Sequence, residues 1–289
     1  MTDTDLDHCP CPYCQSSNHA PWAEERGFTT VKCSDCGFLY LNPRPNAASR
    51  HKATQLGVHS AAEDMDIKEH HSPKKVAHYR AVLQECFADV WKRETPVSWL
   101  DIGAGYGEVV EAVASLAPQG SWVRGLEPMV VKASAAQKRG LDVIPSFIGP
   151  DTPCCQFASL INVFSHINDF DAFLRDVAGV LEEGGEFFME TGDVSDLASR
   201  DDFPGELGSP DHVAFAGSKH LVGFLNRNGF DIVSIHRAPI DGYLYTVKNM
   251  VKKAIGRNVI LKLPYSSPYR TMRVRARKRL AGSARALDA

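Results

Sequence analysis

A short apolar strand that runs directly into a glycine-rich turn is the feature that most restricts how this chain can fold. Residues 97–102 have the composition of a buried strand, and Gly103-Ala104-Gly105-Tyr106-Gly107 follows without a gap, before a helix predicted over 109–116. Glycines at this place let a ligand approach the backbone without meeting a Cβ atom. The helix start behind them offers N–H groups that lack an intrahelical partner. This order of elements predicts an α/β sheet with a ligand at the end of the strand.

Two acidic residues narrow the choice of ligand. Asp101 stands at the end of this strand, and Glu127 ends a second predicted strand over 122–126. A carboxylate in the position of Glu127 can accept hydrogen bonds from both ribose hydroxyls of an adenosine. A dinucleotide site prefers G-x-G-x-x-G, but here the third glycine comes one residue early and Glu108 takes its place. An acid there would repel a pyrophosphate, whereas Asp101 suits a cationic ligand such as S-adenosylmethionine.

These residues carry a family resemblance. Asp101–Gly107 resembles the first motif of class I S-adenosylmethionine-dependent methyltransferases, and Gly125-Leu126-Glu127-Pro128 resembles the end of their second strand. The resemblance implies a Rossmann-like fold with seven mostly parallel strands, and S-adenosylmethionine as the cofactor. It implies that the glycine turn faces the methionine portion and Glu127 the ribose. The cofactor-binding residues that it implies are Asp101, Gly103, Ala104, Gly105, Glu127, Pro128, Asn162 and Val163.

Two histidines further along the chain are candidates for a general base. His166 follows the fourth predicted strand, at the edge where ligands of open α/β sheets gather. In many relatives that strand ends in a Glu-His pair, and here Ser165 replaces the glutamate. His212 lies in a segment that resembles the H-x-x-x-F motif of small-molecule and sugar methyltransferases, although Phe215 comes one position early. Histidine titrates near neutrality, so either ring is suited to remove a proton from an acceptor. Packing or turn capping is the competing interpretation of both rings.

The cysteines predict a metal site, because five of the eight lie within the first 36 residues. Two C-x-x-C pairs, Cys11 with Cys14 and Cys33 with Cys36, are separated by 18 residues. Four thiolates match the tetrahedral preference of zinc and close its coordination shell, so this Zn²⁺ would be structural. Cys9 is a spare thiol that could displace Cys11. Two disulfides are the alternative, which the absence of a secretory signal disfavours.

The zinc-binding pattern extends beyond the cysteines. Residues 33–45 closely resemble the zinc-binding segment that precedes such methyltransferase domains in bacteria, including sugar C-methyltransferases. Those enzymes continue into a further C-terminal domain, for which this chain is too short. The resemblance covers most of residues 9–250.

Charge is distributed unevenly along the chain. The net charge is −3, yet residues 248–289 hold 12 Lys or Arg against one acid, Asp288. A patch for nucleic acid or anionic lipid is one interpretation of Thr271–Leu280, and a phosphate clamp for a nucleotide-linked or lipid-linked substrate is another. We favour the simpler expectation of a solvated terminus.

These features together predict four segments and an enzymatic function. The segments are a zinc-binding module (1–48), a helical linker (49–95), an S-adenosylmethionine-binding methyltransferase domain (96–250) and a basic C-terminal extension (251–289). Without a long apolar run or a signal peptide, a cytoplasmic location is expected. The expected function is methyl transfer to a small molecule or a nucleotide-linked sugar, in natural-product or surface-glycan biosynthesis. The alternatives are an RNA methyltransferase that uses the zinc module and basic tail, and a non-catalytic zinc-ribbon interaction protein on a degenerate methyltransferase fold.

Overall fold

The described strands form a large seven-stranded sheet with flanking helices, a four-stranded sheet built mostly from the N-terminus and a separate two-stranded sheet. The computed structural model describes residues 5–56, 70–239, 243–256 and 267–280. The strands are β1 (Leu6–Asp7), β2 (His19–Glu25), β3 (Phe28–Cys33), β4 (Leu39–Leu41), β5 (Arg44–Pro45), β6 (Ser98–Ile102), β7 (Trp122–Leu126), β8 (Val143–Ile144), β9 (Cys155–Ile161), β10 (Leu181–Gly192), β11 (Ala214–Phe215), β12 (Phe230–Ala238) and β13 (Thr271–Lys278). The helices are α1 (Ala47–Leu56), α2 (Pro73–Cys86), α3 (Ala88–Trp91), α4 (Glu108–Ala114), α5 (Val130–Gln137), α6 (Phe170–Val180), α7 (Ser218–Arg227) and α8 (Tyr243–Ala254).

The large sheet has seven strands in the order β12-β13-β10-β9-β6-β7-β8. Its neighbours pair in parallel except around β13, which is antiparallel to both β10 and β12. The predicted Rossmann-like sheet of seven mostly parallel strands is therefore confirmed. From β6 the chain proceeds to β7 and β8 on one side, then returns to β9 and β10 on the other. The order thus reverses between β6 and β9, which is where open α/β sheets bind their ligands.

Apolar side chains cover both faces of the central strands, as expected for a parallel sheet between helices. On one face Trp99 packs with Phe87 and Phe188, beneath α2 and α4. On the other face Leu100 and Leu174 belong to the cluster beneath α6 and α7. Burial of these apolar surfaces holds the helices against the sheet and fixes the positions of the strand ends.

The cysteine-containing region forms a four-stranded sheet in the order β11-β4-β3-β2. Three of these strands come from the N-terminus, whereas β11 follows the central part of the chain and pairs antiparallel with β4. Phe38 and Tyr40 are completely buried here. The predicted segment boundaries remain predictions, but β11 joins the N-terminal sheet directly to the rest of the protein.

Strand β13 corrects the interpretation of the basic terminus as solvated chain, because residues 271–278 lie inside the large sheet. Arg273 donates to Glu190 at 2.7 Å, and Arg277 donates to Glu186 at 2.7 Å. Arg275 is buried and pairs with both Glu186 and Asp89. The basic side chains of this strand therefore neutralise acidic groups of the same protein.

One further feature concerns membranes. Within the described residues, no helix has the length and apolar character needed to cross a bilayer.

Candidate active site and cysteine centre

The glycine-rich turn lies at the carboxyl end of β6, beside the point where the strand order reverses. The amides of Gly103 and Ala104 both donate to the Leu126 carbonyl, at 2.8 and 2.9 Å, so the turn is fastened to the end of β7. Gly103 has φ +77°, and a Cβ there would lie 2.5 Å from a methyl group of Val163. Around Gly105, with φ +55°, a Cβ would meet nothing within 4 Å. The turn therefore needs glycine for its own geometry and leaves open space above its centre.

Glu127 lies directly beside this turn. Its side chain is only 7% exposed. One carboxylate oxygen accepts from the Gly105 amide at 2.7 Å, and the other accepts from the Met129 amide at 3.0 Å. These two hydrogen bonds hold the Glu127 carboxylate at the end of β7, in direct contact with the glycine turn.

Asp101 is the most deeply buried acid of this region, at 2% exposure. The Ser159 hydroxyl donates to its carboxylate at 2.6 Å, and the Trp99 indole N–H donates to that hydroxyl at 2.9 Å. Burial raises the pKa of Asp101 to about 7, against the lowering effect of the Ser159 hydrogen bond and with help from Glu127 and Glu108. A buried carboxylate with this raised pKa is well suited to a cationic ligand, which would stabilise its ionised form.

The end of β9 completes this edge. Asn162 adopts φ 59° and donates its amide to the Glu190 carbonyl at 2.9 Å. The hydroxyl of Tyr79, from α2, hydrogen bonds with the Asn162 side chain, and burial raises its pKa to about 12. Tyr79 was not among the predicted site residues, because no local sequence pattern marks this polar contact. Val163, the residue after Asn162, packs against Gly103 of the glycine turn.

The two candidate bases lie together, with ring centroids 4.7 Å apart. Nδ1 of His166 lies 3.2 Å from the Asp211 carbonyl oxygen and 3.3 Å from its carboxylate. Both neighbours are acceptors, so Nδ1 carries the hydrogen and Nε2 keeps its lone pair. Asp211 was not among the predicted site residues, although its position next to His212 in the sequence is a signal that could have found it.

The second ring has the same tautomer and is likewise partly buried. Nδ1 of His212 lies 2.6 Å from the Leu207 carbonyl, so its Nε2 also keeps a lone pair. Burial, followed by the neighbouring His166, lowers the pKa of His212 to about 4. His212 is therefore neutral at physiological pH, and holding an additional proton there is unfavourable.

The N-terminal sheet holds the segment that carries His212. Glu25, at the end of β2, accepts from the amides of Leu207 (2.7 Å), Gly208 (2.7 Å) and Ser209 (3.1 Å). This carboxylate thus fixes the carbonyl group that orients the His212 ring. No local pattern marks Glu25, because its partners lie about 180 residues away in the chain.

A buried arginine supports the same pair of rings. Arg50, from α1, donates to the backbone carbonyl of His166 and to that of Asp211. Val213 also donates to the Ser165 carbonyl at 2.8 Å, and Leu41 of β4 donates to the Val213 carbonyl at 2.9 Å. Three distant parts of the chain therefore meet around the histidines.

The four cysteines of the two C-x-x-C pairs converge. Their Sγ atoms all lie within 4.8 Å of one another, with Cys11 3.5 Å from Cys36 and Cys14 3.6 Å from Cys33. Zinc–sulfur bonds of about 2.3 Å in a tetrahedron place sulfurs about 3.8 Å apart, so this donor set fits the metal. Disulfide sulfurs lie about 2 Å apart, and all four thiols are free. Cys9 is not part of the cluster. Its backbone amide donates to the side-chain oxygen of Asn42 at 3.1 Å.

Comparisons with known proteins place this geometry in a family. The sequence model of the methyltransferase-domain family matches residues 69–235. A candidate sarcosine dimethylglycine methyltransferase from Galdieria sulphuraria has a similar structure, with 14% identity and a TM-score of 0.52 over 70% of this chain and 86% of that one. The chain is also similar to coclaurine N-methyltransferase bound to N-methylheliamine and S-adenosylhomocysteine (14% identity, TM-score 0.47, 69% and 72% covered). An O-methyltransferase of a Brevibacillus brevis trans-AT polyketide synthase, in complex with S-adenosylhomocysteine, gives 15% identity and a TM-score of 0.46, with 72% and 77% covered.

No curated protein sequence matches the chain. The family match nevertheless covers more than half of its residues, and the fold agrees with it. The chain therefore belongs to the methyltransferase-domain family and is a class I S-adenosylmethionine-dependent methyltransferase.

Proposed function

We propose that this protein methylates a small molecule or a nucleotide-linked sugar, with His166 as the general base. The observation that carries the proposal is the His166–Asp211–His212 group, which leaves a ring nitrogen with a free lone pair next to the cofactor edge. His166 follows Val163 by three residues, and Val163 packs against the glycine turn. A base in this position is suited to take a proton from an acceptor that approaches the cofactor.

The residues of the glycine-rich edge fit S-adenosylmethionine, which supplies a methyl group activated by a sulfonium. The open space above Gly105 admits the ligand beside the backbone, and Asp101 complements its positive charge. The carboxylate of Glu127 is positioned to accept hydrogen bonds from ribose hydroxyls. Pro128, Ala104, Asn162 and Val163 would border the same ligand.

His166 is better suited than His212 to hold the acceptor's proton. A proton gained at Nε2 of His166 makes the ring cationic, and the Asp211 carboxylate 3.3 Å from Nδ1 stabilises that charge. Burial and the neighbouring His166 imidazole lower the pKa of His212. We assign His212 the role of a neutral partner that packs against His166 and orients the acceptor.

We also propose that Cys11, Cys14, Cys33 and Cys36 bind one structural zinc ion. Four thiolates fill a tetrahedral shell, so no position remains for catalysis. Strand β2 lies between the two cysteine pairs and ends at Glu25, and β4 follows the second pair. Both Glu25 and β4 contact the segment that carries His212. Zinc would thus support the acceptor side of the active site indirectly.

Formation of S-adenosylhomocysteine in the presence of a panel of acceptors tests this function. The panel contains nucleotide sugars, phenols, amines and an RNA transcript. We expect turnover with a small molecule or nucleotide sugar, and a decrease of about 100-fold or more in kcat for His166→Gln. Calorimetric binding of S-adenosylhomocysteine should remain unchanged in that variant. Turnover of RNA alone, or full activity of His166→Gln, would contradict the proposal.

The fold weakens the argument that the basic C-terminal segment binds RNA. The arginines of β13 pair with Glu186, Glu190 and Asp89 within the protein. Within the described residues, the basic strand is therefore engaged internally instead of forming a free patch for phosphates.

A further inference from the structure

Helix α8 carries an apolar stripe on its surface. Val247, Met250 and Val251 are spaced i, i+3 and i+4, so they lie along one side of the helix, and Ile255 follows its last residue, Ala254. Their exposed fractions run from 39% for Val247 to 67% for Ile255. No described helix or strand packs extensively against α8. Such a continuous exposed apolar stripe marks a surface that another molecule covers.

The charges of α8 indicate what kind of molecule would cover the apolar stripe. Lys252 and Lys253 lie in its last turn, Lys248 adds a third positive charge, and Tyr243–Ala254 contains no acidic residue. An apolar stripe bordered by lysines is typical of helices that lie in the interface of an anionic membrane. A second copy of the same helix would place lysines against lysines across a two-fold axis, which is unfavourable.

The position of α8 relates it to the active site. The helix lies in the chain between Ala238, the last residue of β12, and Thr271, the first residue of β13, and these two residues are paired. Thr271 is also paired with Gly192, at the carboxyl end of β10. Since β10 is parallel to β9, α8 leaves the sheet from the edge that carries the glycine turn and His166.

We propose that α8 docks this protein on the surface of anionic lipid membranes, with its apolar stripe inserted among the headgroups and its lysines on the lipid phosphates. Strand β12 ends at the same edge of the sheet as the histidines, and α8 is the next helix of the chain, so acceptors that reside in or at the membrane would be presented to the active site. Docking itself depends only on α8 and is independent of the proposed methyl transfer.

Sedimentation of the full chain with large unilamellar vesicles tests the docking. The vesicles consist of phosphatidylcholine alone or of phosphatidylcholine with about 30% phosphatidylglycerol. Both are tested in a buffer that contains on the order of 0.1 M salt. We expect binding to the anionic vesicles and about tenfold less to the neutral ones. The variant Lys252→Glu/Lys253→Glu should lower the anionic partition coefficient at least about tenfold, and Val251→Asp should lower it similarly.

A charge-matched control separates docking from general electrostatics. Lys74→Glu/Lys92→Glu reverses two exposed lysines outside α8 and should retain most vesicle binding. Circular dichroism and S-adenosylhomocysteine binding verify that each variant is folded. Equal loss in the control and α8 variants, or binding to neither vesicle, would overturn the proposal. So would a concentration-dependent dimer that Val251→Asp dissociates while vesicle binding is unchanged, because the stripe would then be a subunit interface.

Discussion

The proposed active site has two halves, which differ in how far apart along the sequence their residues lie. The proposed cofactor half consists of Asp101, Gly103, Gly105 and Glu127, all within 27 residues of each other. The proposed acceptor half consists of His166, Asp211 and His212, and Glu25 and Arg50 from the N-terminal region hold the backbone around it. A site formed by two consecutive strand–turn units can form with the sheet itself. A site assembled from distant segments requires the N-terminal sheet to be folded and docked.

This difference predicts that the two halves can be damaged separately. Changes in the N-terminal sheet should impair methyl transfer while cofactor binding persists. Changes at the glycine-rich edge should weaken cofactor binding while the N-terminal sheet and its metal content stay intact. The following predictions test this separation, with the effects on turnover and cofactor affinity in decreasing order and an effect on stability last.

The largest effect is expected from loss of the metal. We predict that Cys33→Ser/Cys36→Ser abolishes zinc binding and lowers turnover at least about 100-fold, because the sheet that carries Glu25 loses its cross-link. Zinc content by mass spectrometry and turnover in the acceptor assay measure the two effects. Cys86→Ser/Cys154→Ser, outside the cluster, serves as the control. Loss of S-adenosylhomocysteine binding in the zinc-free variant, with the control intact, would show that the halves are not separable.

The cofactor half should respond most strongly to Glu127→Ala. We expect the affinity for S-adenosylhomocysteine to fall by about 10- to 100-fold, since a charged acceptor for two hydrogen bonds is removed. Isothermal calorimetry measures this change, and Glu85→Ala at an exposed position of α2 is the control. Zinc content and thermal stability of the N-terminal sheet should be unchanged. An unaltered affinity would remove Glu127 from the proposed ribose site.

A smaller effect is expected at Glu25, which acts through the loop that orients His212. Glu25→Ala should lower kcat by about tenfold, because the ring is no longer held in its working position. Glu25→Gln should recover much of this loss, since its amide oxygen still accepts from the backbone. Glu24→Ala, next to it and exposed, should have no effect. A change confined to cofactor affinity would contradict this positioning role.

The same contrast explains which parts could be predicted from the sequence. The glycine turn, Asp101 and Glu127 belong to consecutive local elements, so their identities and spacing were sufficient to place them on one edge. His166 and His212 were selected from strand order and family resemblance, and the structure brings them together. Their supports were not predictable, because the contacts of Glu25 depend on how distant segments pack.

The sequence of β13 has the alternating pattern of a strand, but its many basic residues led to a different interpretation. Met272, Val274 and Ala276 alternate with arginines, and all three are buried at 0–1% exposure. This period of two indicates a strand with one apolar face. The opposite face was interpreted as a solvated terminus because the partners of its arginines, Glu186 and Glu190, are about 85 residues away. Sequence patterning detects the alternation, but only the assembled sheet shows that the positive charges are compensated.

The last prediction concerns the pH dependence of stability instead of activity, and it sharpens the account of the cofactor half. Burial raises the pKa of Asp101 from 3.8 to about 7, so the folded protein retains a proton that the unfolded chain releases. Between about pH 4 and pH 7 the folded state therefore binds more protons, and this group makes stability fall as pH rises. Asp101→Asn lacks this titration. We expect the variant to gain stability relative to the wild type over that range, by at most about 4 kcal/mol at 1.36 kcal/mol per pKa unit, with a constant difference above pH 7.

Urea denaturation at a series of pH values measures this difference, with Asp176→Asn at an exposed position of α6 as the control. Saturating S-adenosylhomocysteine should narrow the gap above pH 7, because its ammonium group stabilises the ionised carboxylate of the wild type and has no such partner in the variant. The two conditions separate the cost of burying Asp101 from its use in binding. If the gap is independent of pH, Asp101 is ionised throughout and its burial is already compensated within the protein. If the gap depends on pH but not on the ligand, Asp101 stabilises the turn without contacting the cofactor's positive charge.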